Sequence, residues 1–208
     1  LESFEELEDY SKIVTIEQIG QYDYSLNIKR YVDASPEAVQ IKRLLKQYKD
    51  YRLLPIEELA LEVKLAKQGS SYEEIDNALY IPKSGAKSVT CEISDLDISH
   101  HNVIQVVLDS ALVLSRYASM FLQSELGRLM LSSLRLFTPM GIISQSSLSD
   151  LKIAIPDIAM QLKMIEAGDR LEELKASIQE LEKELVFSPH SANTVLEQVD
   201  GMLEAVGG

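Results

Sequence analysis

The sequence predicts an α+β fold, in which a small mixed sheet with packed helices is followed by a long helix or a helical hairpin. Three patterns support this prediction. Short apolar runs such as Val103–Leu108 are typical of buried strands. Residues 112–134 repeat apolar side chains at helical spacing. From Leu171 onwards, apolar residues recur at steps of three and four with Glu and Lys between them, as in a heptad helix.

The composition is that of an ordinary globular protein. The 208 residues are 46% hydrophobic and 25% charged, which is enough for one good core or two small ones. No apolar run approaches the roughly 20 residues of a membrane span, so we expect neither a membrane segment nor a signal peptide. The single cysteine, Cys91, excludes an internal disulfide and fits a reducing, cytoplasmic compartment. Because the chain begins with Leu, we expect it to be part of a longer protein.

The net charge of −13 argues by itself against binding to nucleic acid. The charges are unevenly distributed, however. Acidic residues concentrate in the first ten residues and in the C-terminal part, whereas residues 41–52 and 110–149 are locally basic. Two interpretations remain open at this point: a basic face on an acidic protein, or ordinary solvated helix surfaces.

Turn and capping residues divide the chain into elements. We expect an acidic, helical lead-in over residues 1–10 and a strand over residues 11–15, after which Thr15 caps one helical turn. Pro36 begins a helix that runs to about Asp50. The further strands are expected at residues 51–54, 62–66, 78–81, 88–93, 103–108 and 151–155.

The C-terminal part is predicted to be helical. Pro156 opens a long helix, in which we expect a kink or a break at Gly168, because Gly costs about 1 kcal/mol against Ala in a helix. A capping box of Thr194 and Glu197 predicts the start of a final helix. The predicted domains are an N-terminal connector over residues 1–50, an α+β domain over residues 51–156 and a helical part over residues 157–208.

The motifs of common catalytic centres do not occur in the sequence. There is no Gly-rich phosphate loop and no His-Glu-x-x-His motif. The Asn/Asp-Pro-Pro-aromatic turn with which an adenine-N6 methyltransferase grips a flipped base is also missing. His100 and His101 have no third metal ligand at a useful spacing and predict a surface loop, and Cys91 predicts a buried position within a strand. We therefore expect no catalysis, no metal site and no cofactor for this chain alone.

Several segments resemble parts of type I restriction-modification systems. YDYSLNIKRYVD, residues 22–33, resembles a segment near the C-terminus of type I methylation subunits. YRLLPIEELA at residues 51–60, Tyr-Ile-Pro at residues 80–82 and YASMFLQSELGR at residues 117–128 resemble a target recognition domain of specificity subunits. SLSDLK at residues 147–152, followed by a strand, a proline and a long helix, resembles the end of such a domain.

The resemblance implies a function. The chain would be the non-catalytic DNA-recognition region of an N6-adenine DNA methyltransferase in a restriction-modification system. S-adenosylmethionine is then the expected cofactor of the parent methyltransferase rather than of this chain. The expected partners are double-stranded DNA, the methyltransferase catalytic domain or subunit, and a second copy of the chain in a homodimer formed through the C-terminal helices.

Candidate contact residues follow from the chemistry of DNA recognition. Proteins use Arg and Lys on phosphates and guanine, and Asn, Gln or Ser on other base edges, from loops held by a rigid scaffold. The predicted DNA-binding residues are Lys83, Ser84, Lys87, Arg128, Arg135, Thr138, Ser144, Gln145 and Ser146. The predicted helix interface consists of Leu171, Leu174, Ile178, Leu181 and Leu185.

A different class of function fits the same sequence. An acidic α+β module could bind a partner protein through its heptad helix and never contact DNA. Salt distinguishes the two alternatives, because phosphate contacts make affinity for DNA fall steeply as the salt concentration rises.

Overall fold

The computed structural model describes residues 13–20, 24, 36–85, 87–136, 141–149, 151–187 and 192–207. The fold is α+β, as the sequence predicts. The helices are α1 (Ile16–Gly20), α2 (Pro36–Leu45), α3 (Ile56–Leu59), α4 (Ser115–Gln123), α5 (Glu125–Leu136), α6 (Gln145–Leu148), α7 (Ile158–Phe187) and α8 (Ala192–Gly207). The strands are β1 (Arg52–Pro55), β2 (Ala60–Leu65), β3 (Ala78–Pro82), β4 (Val103–Leu108) and β5 (Lys152–Ile155).

The chain divides into two compact units, Leu1–Leu162 and Lys163–Gly208. The first unit contains both sheets and the helices up to the first turn of α7. The second unit contains the rest of α7 together with α8. The domain boundaries expected at residues 50 and 156 stay predictions.

The first and last strands of the first unit pair with each other. β1 and β5 run antiparallel, with Arg52 opposite Ile155 and Pro55 opposite Lys152. Directly after β1, the N–H of Ile56 donates to the oxygen of Leu151 at 2.8 Å, so the pairing extends into α3. Loop closure over so long a separation costs chain entropy, and the buried residues of the segment between the strands must offset that cost.

A second sheet of three antiparallel strands, in the order β2-β4-β3, forms the core. β3 is buried along its whole length, and β4 is buried except for a half-buried Val107. Burial on both faces explains why β4 is apolar at every position except the buried Gln105 and does not alternate. β2 is an edge strand within the described residues; a bulge at Leu61 interrupts its register, and Glu62 and Lys64 form an ion pair at 3.0 Å.

The break between α4 and α5 lies at Ser124, inside the segment expected to form one helix. Ser124 has an extended conformation, with ψ of 168°, and its hydroxyl donates to the oxygen of Phe121 at 2.6 Å. The same hydroxyl accepts from the N–H of Gly127 at 3.2 Å. The Ser124 side chain therefore caps both the end of α4 and the start of α5. The prediction of one continuous helix over residues 112–134 is wrong.

Two side-chain amides hold the loop between β4 and α4. Asn77 donates to the oxygens of Leu108 and Val113, both at 2.9 Å, and accepts from the N–H of Ser115 at 2.6 Å. The fully buried Gln161, in the first turn of α7, accepts from the N–H of Leu114 at 2.9 Å. The Gln161 amide nitrogen donates to the oxygens of Leu112 and Pro156. These bonds satisfy backbone groups that burial would otherwise make costly.

In the second unit, the heptad seam of α7 is unevenly exposed. α7 runs without interruption through Gly168, so the break expected there does not occur. Leu181 is buried and Leu174 is half-buried, whereas Leu171, Ile178 and Leu185 are exposed. The exposed residues occupy one heptad position and the covered ones the other.

Apolar residues recur at helical spacing in α8, at Val195, Val199, Met202 and Val206, and predict one buried side of that helix. Val195 is buried and Val199 and Met202 are half-buried, whereas the side chain of Val206 lies outside the described ones. The helix begins at Ala192, so Thr194 lies inside its first turn and does not cap it. The residues that would form the turn between α7 and α8 lie outside the described ones, and a helical hairpin stays a prediction.

Other local expectations also need correction. Residues 88–93 do not form a strand, because the only pairing there is an isolated bridge between Thr90 and Tyr80. Cys91, which was expected to be buried in that strand, is half-buried and lies outside any strand. Residues 13–15 are irregular rather than extended into a strand, although Thr15 and Gln18 do exchange capping bonds at the start of α1. The lead-in over residues 1–10 and the segment at residues 22–33 lie outside the described residues, apart from Tyr24.

Gly127 tests the junction between α4 and α5. A Cβ at Gly127 would lie 2.4 Å from the Leu122 Cα and the Phe121 oxygen, closer than atoms can approach. Gly127→Ala should therefore lower the free energy of unfolding by about 3 kcal/mol, measured by urea denaturation. Gly201→Ala is the matched control, because a Cβ there meets nothing within 4 Å. Equal stability of the two variants would refute the close packing at Gly127.

The variant Tyr117→Phe tests the buried hydrogen bond between α4 and β5. Its hydroxyl donates to the oxygen of Ala154 at 2.6 Å, and burial raises the pKa of Tyr117 above the ordinary 10.0. Above pH 10.0 the unfolded chain releases this proton more readily than the folded one, so the free energy of unfolding should fall as pH rises. Denaturation from about pH 9 to 12 should show a smaller decrease for Tyr117→Phe than for the parent. Parallel pH profiles would contradict the assignment.

Candidate nucleic-acid interface

The two polar loops predicted to contact DNA lie side by side at the end of β3. The N–H of Ile143 donates to the oxygen of Lys83 at 2.8 Å, and the N–H of Lys83 donates to the oxygen of Asn102, also at 2.8 Å. The Lys83 backbone thus joins three segments that are distant in sequence. We call the surface formed by residues 83–85, 87 and 141–146 the joined-loop surface.

Arg135 is bonded to the backbone beside this surface and is not one of its exposed residues. It lies in the last turn of α5 and is half-buried, and its Nη2 donates to the oxygen of Pro82 at 3.1 Å. Burial lowers the pKa of its guanidinium from the ordinary value. The side chain therefore positions the end of β3, immediately before Lys83.

The two lysines of the first loop have different surroundings. Lys83 is half-buried, and its ammonium donates to the oxygen of His101 at 2.6 Å. Lys87 is exposed and forms an ion pair with Asp97, and the hydrogen bond from Lys87 lowers the pKa of that carboxyl below its ordinary value. An exposed ion pair contributes little to stability, so Lys87 can exchange Asp97 for a phosphate at low cost. Ser84, between them, is exposed.

The second loop is organised by a capping box. The Ser144 hydroxyl accepts from the N–H of Ser147 at 3.0 Å, and the Ser147 hydroxyl accepts from the N–H of Ser144 at 2.9 Å, which starts α6. Gln145 and Ser146 are exposed beside it. Thr138 lies outside the described residues.

Arg128 is separate from this group. It is exposed in the first turn of α5, seven residues before Arg135, which corresponds to about 10 Å along the helix axis. Near it, α2 packs on α5, and Gln40 donates to Glu125 at 2.6 Å. Just after α2, the ring of Tyr48 meets that of Phe121 on α4 edge to face, with centroids 5.5 Å apart. The exposed basic residues on α2 and the turn after it are Lys42, Arg43, Lys46 and Lys49.

Tyr72 and His100 are functional candidates that the sequence did not identify. The N–H of Tyr72 donates to His100 Nδ1 at 2.7 Å, and the two rings stack with centroids 5.5 Å apart. Burial raises the pKa of the Tyr72 hydroxyl. Although the adjacent histidines were visible in the sequence, no pattern links a turn at residue 100 to a tyrosine 28 positions earlier.

The described residues provide neither a cluster of metal ligands nor a membrane-spanning helix. Among the described residues, no group of three or more His, Cys, Asp and Glu side chains is placed to hold a metal ion. None of the helices there is both long enough and apolar enough to cross a membrane. Neither protein-family models nor curated proteins give a match to this chain.

Proposed function

We propose that this chain is the DNA sequence-recognition region of an N6-adenine DNA methyltransferase of the restriction-modification type. The observation that carries the proposal is the hydrogen bond from Ile143 to Lys83, which unites the two polar loops into one surface. The resemblance of the segments at residues 51–60, 117–128 and 147–152 to a target recognition domain supplies the family context.

The surroundings of the joined-loop surface support the proposal. The loops emerge from a rigid scaffold, because β3 is buried throughout and Arg135 holds its last residue. Ser84, Lys87, Gln145 and Ser146 are exposed and offer both hydrogen-bond donors and acceptors. Such side chains on a fixed loop can read base edges, while Lys87 contacts phosphate.

The distribution of charge also favours a local DNA contact on an acidic protein. The exposed basic residues of α2 lie on a helix that packs against α5, which carries Arg128. The first ten residues, α7 and α8 carry more acidic than basic residues, whereas residues 41–52 and 110–149 carry more basic than acidic ones. Catalysis is assigned to the parent methyltransferase, which would use S-adenosylmethionine, and recognition to this chain.

Charge reversal tests the DNA interface. Lys87→Glu with Arg128→Glu should weaken binding to a labelled duplex, because both ammonium and guanidinium groups are exposed and accessible to phosphate. The slope of log affinity against log salt should become shallower by about 0.9 for each phosphate that the variant no longer neutralises. Fluorescence anisotropy over a salt series measures both quantities.

The matched control is Lys175→Glu with Lys183→Glu on α7, which changes the net charge equally at exposed positions. This control should bind like the parent. An equal decrease of affinity in the two double variants would show that only net charge matters, and would reject a DNA interface that includes Lys87 and Arg128.

A second candidate function is partner binding through the second unit. Leu171, Ile178 and Leu185 are exposed at seven-residue spacing, and each is worth roughly 1.5–3 kcal/mol if buried. This alternative needs no DNA. The partner would be a second copy of the chain or the helices of a methylation domain.

Sedimentation velocity tests self-association through this stripe. Leu171→Lys with Ile178→Lys should convert an associated species to a folded monomer, because both side chains are exposed in the single chain. Ile16→Lys with Leu61→Lys is the control, since these residues are also exposed but lie outside the stripe. If the parent and the stripe variant sediment identically, the stripe does not join two copies of this chain.

A further inference from the structure

A solvent-open depression of about 410 Å³ lies beside the joined-loop surface. Its walls are the loop Gln68–Ser71 and the turn Ser99–His101. The turn is tied directly to Lys83, because the oxygen of His101 accepts from the Lys83 ammonium and the oxygen of Asn102 accepts from the Lys83 N–H. The depression therefore neighbours the proposed DNA interface.

The imidazole of His100 has a fixed orientation in this wall. Its Nδ1 accepts from the N–H of Tyr72, so in the neutral ring the hydrogen is on Nε2. Stacking on Tyr72 at an interplanar angle of 22° holds the plane of the ring. The Tyr72 hydroxyl is anchored in turn, accepting from the N–H of Ala66 at 2.9 Å and lying 2.8 Å from the oxygen of Val103. Nε2–H is thus a donor of fixed orientation on a half-buried residue that lines the depression.

The remaining lining groups are rich in hydrogen-bond donors. Ser71 and Ser99 supply hydroxyls and Gln68 supplies an amide, whereas the Ser70 hydroxyl donates to the oxygen of Lys67 at 2.8 Å. No carboxylate occurs among the lining residues, although the protein as a whole has a net charge of −13. Donors without competing acids favour an anionic ligand with several acceptor oxygens, and the volume accommodates a phosphate group easily.

We propose that this depression binds a phosphate group, with His100 Nε2 and the hydroxyls of Ser71 and Ser99 as its donors. In the complex with DNA, the group is a backbone phosphate of the duplex next to the bases read by the joined-loop surface. This second statement rests on the proposed DNA recognition, whereas the first does not.

Phosphate binding is tested first without DNA. The 31P line of inorganic phosphate should broaden in the presence of the 208-residue chain, at constant pH and with chloride matching the ionic strength. Ser71→Asp should abolish the broadening by placing a negative charge at an exposed position of the wall, and Ser71→Asn should retain most of it. Absence of broadening with the parent, or equal broadening with both variants, would overturn the site.

A second variant separates ligand binding from folding. His100→Asn keeps an oxygen that can accept from the Tyr72 N–H but removes the Nε2 donor. It should melt close to the parent without producing the 31P broadening, and His100→Gln, which retains a donor near Nε2, should partly restore it. Undiminished broadening with His100→Asn would exclude His100 as a ligand of the phosphate.

DNA is the second arm of the experiment. Ser71→Asp should reduce affinity for a duplex about tenfold at low salt and flatten the salt slope by about 0.9, whereas Ser71→Asn should not. If phosphate binds but DNA affinity is unchanged, the depression takes free phosphate or a phosphomonoester and the duplex assignment is wrong. If the parent binds no DNA at all, the proposed function fails, and the 31P result alone decides whether the depression is a phosphate site.

Discussion

The antiparallel pairing of β1 with β5 is the constraint on which the first unit depends. Several hydrogen bonds attach to these two strands or to the residues beside them. Ile56 bonds to Leu151, the buried hydroxyl of Tyr117 bonds to Ala154, and the amide of Gln161 bonds to Pro156. Because the pairing joins the two ends of the segment, its disruption would release the start of α3, the core beneath α4 and the first turn of α7 together.

The elements that could be predicted are those whose signal is local or mostly apolar. β4 was located correctly because burial on both faces makes every residue of it apolar except Gln105. Apolar periodicity continues across the break at Ser124 and does not reveal it, because the break depends on one hydroxyl bonded to Phe121 and Gly127. Residues 88–93 have strand-like composition, but a strand also needs a partner along its length, and only Thr90 found one.

The candidate site shows a similar division. Polarity and charge selected two loops that lie side by side in the structure, yet they could not assign the role of each side chain. Lys83 and Arg135 donate to the backbone oxygens of His101 and Pro82, and those acceptors are brought near only by the packing of separate segments. A basic residue near a loop can therefore hold the loop in place instead of contacting a ligand. The sequence alone does not identify His100 as a functional candidate, because its partner Tyr72 is remote in sequence.

The irregularity of β2 has a consequence for how the protein behaves at high concentration. An edge strand offers unpaired backbone groups to any other chain, and regular edges promote aggregation. The bulge at Leu61 interrupts the register, and the charges of Glu62 and Lys64 would have to be desolvated by an incoming strand. The bulge and the two charges therefore disfavour extension of one sheet into another across this edge. As a result, the side chain of Leu61 is 69% exposed. The loss of burial at this one residue accompanies an edge strand that resists aggregation with other chains.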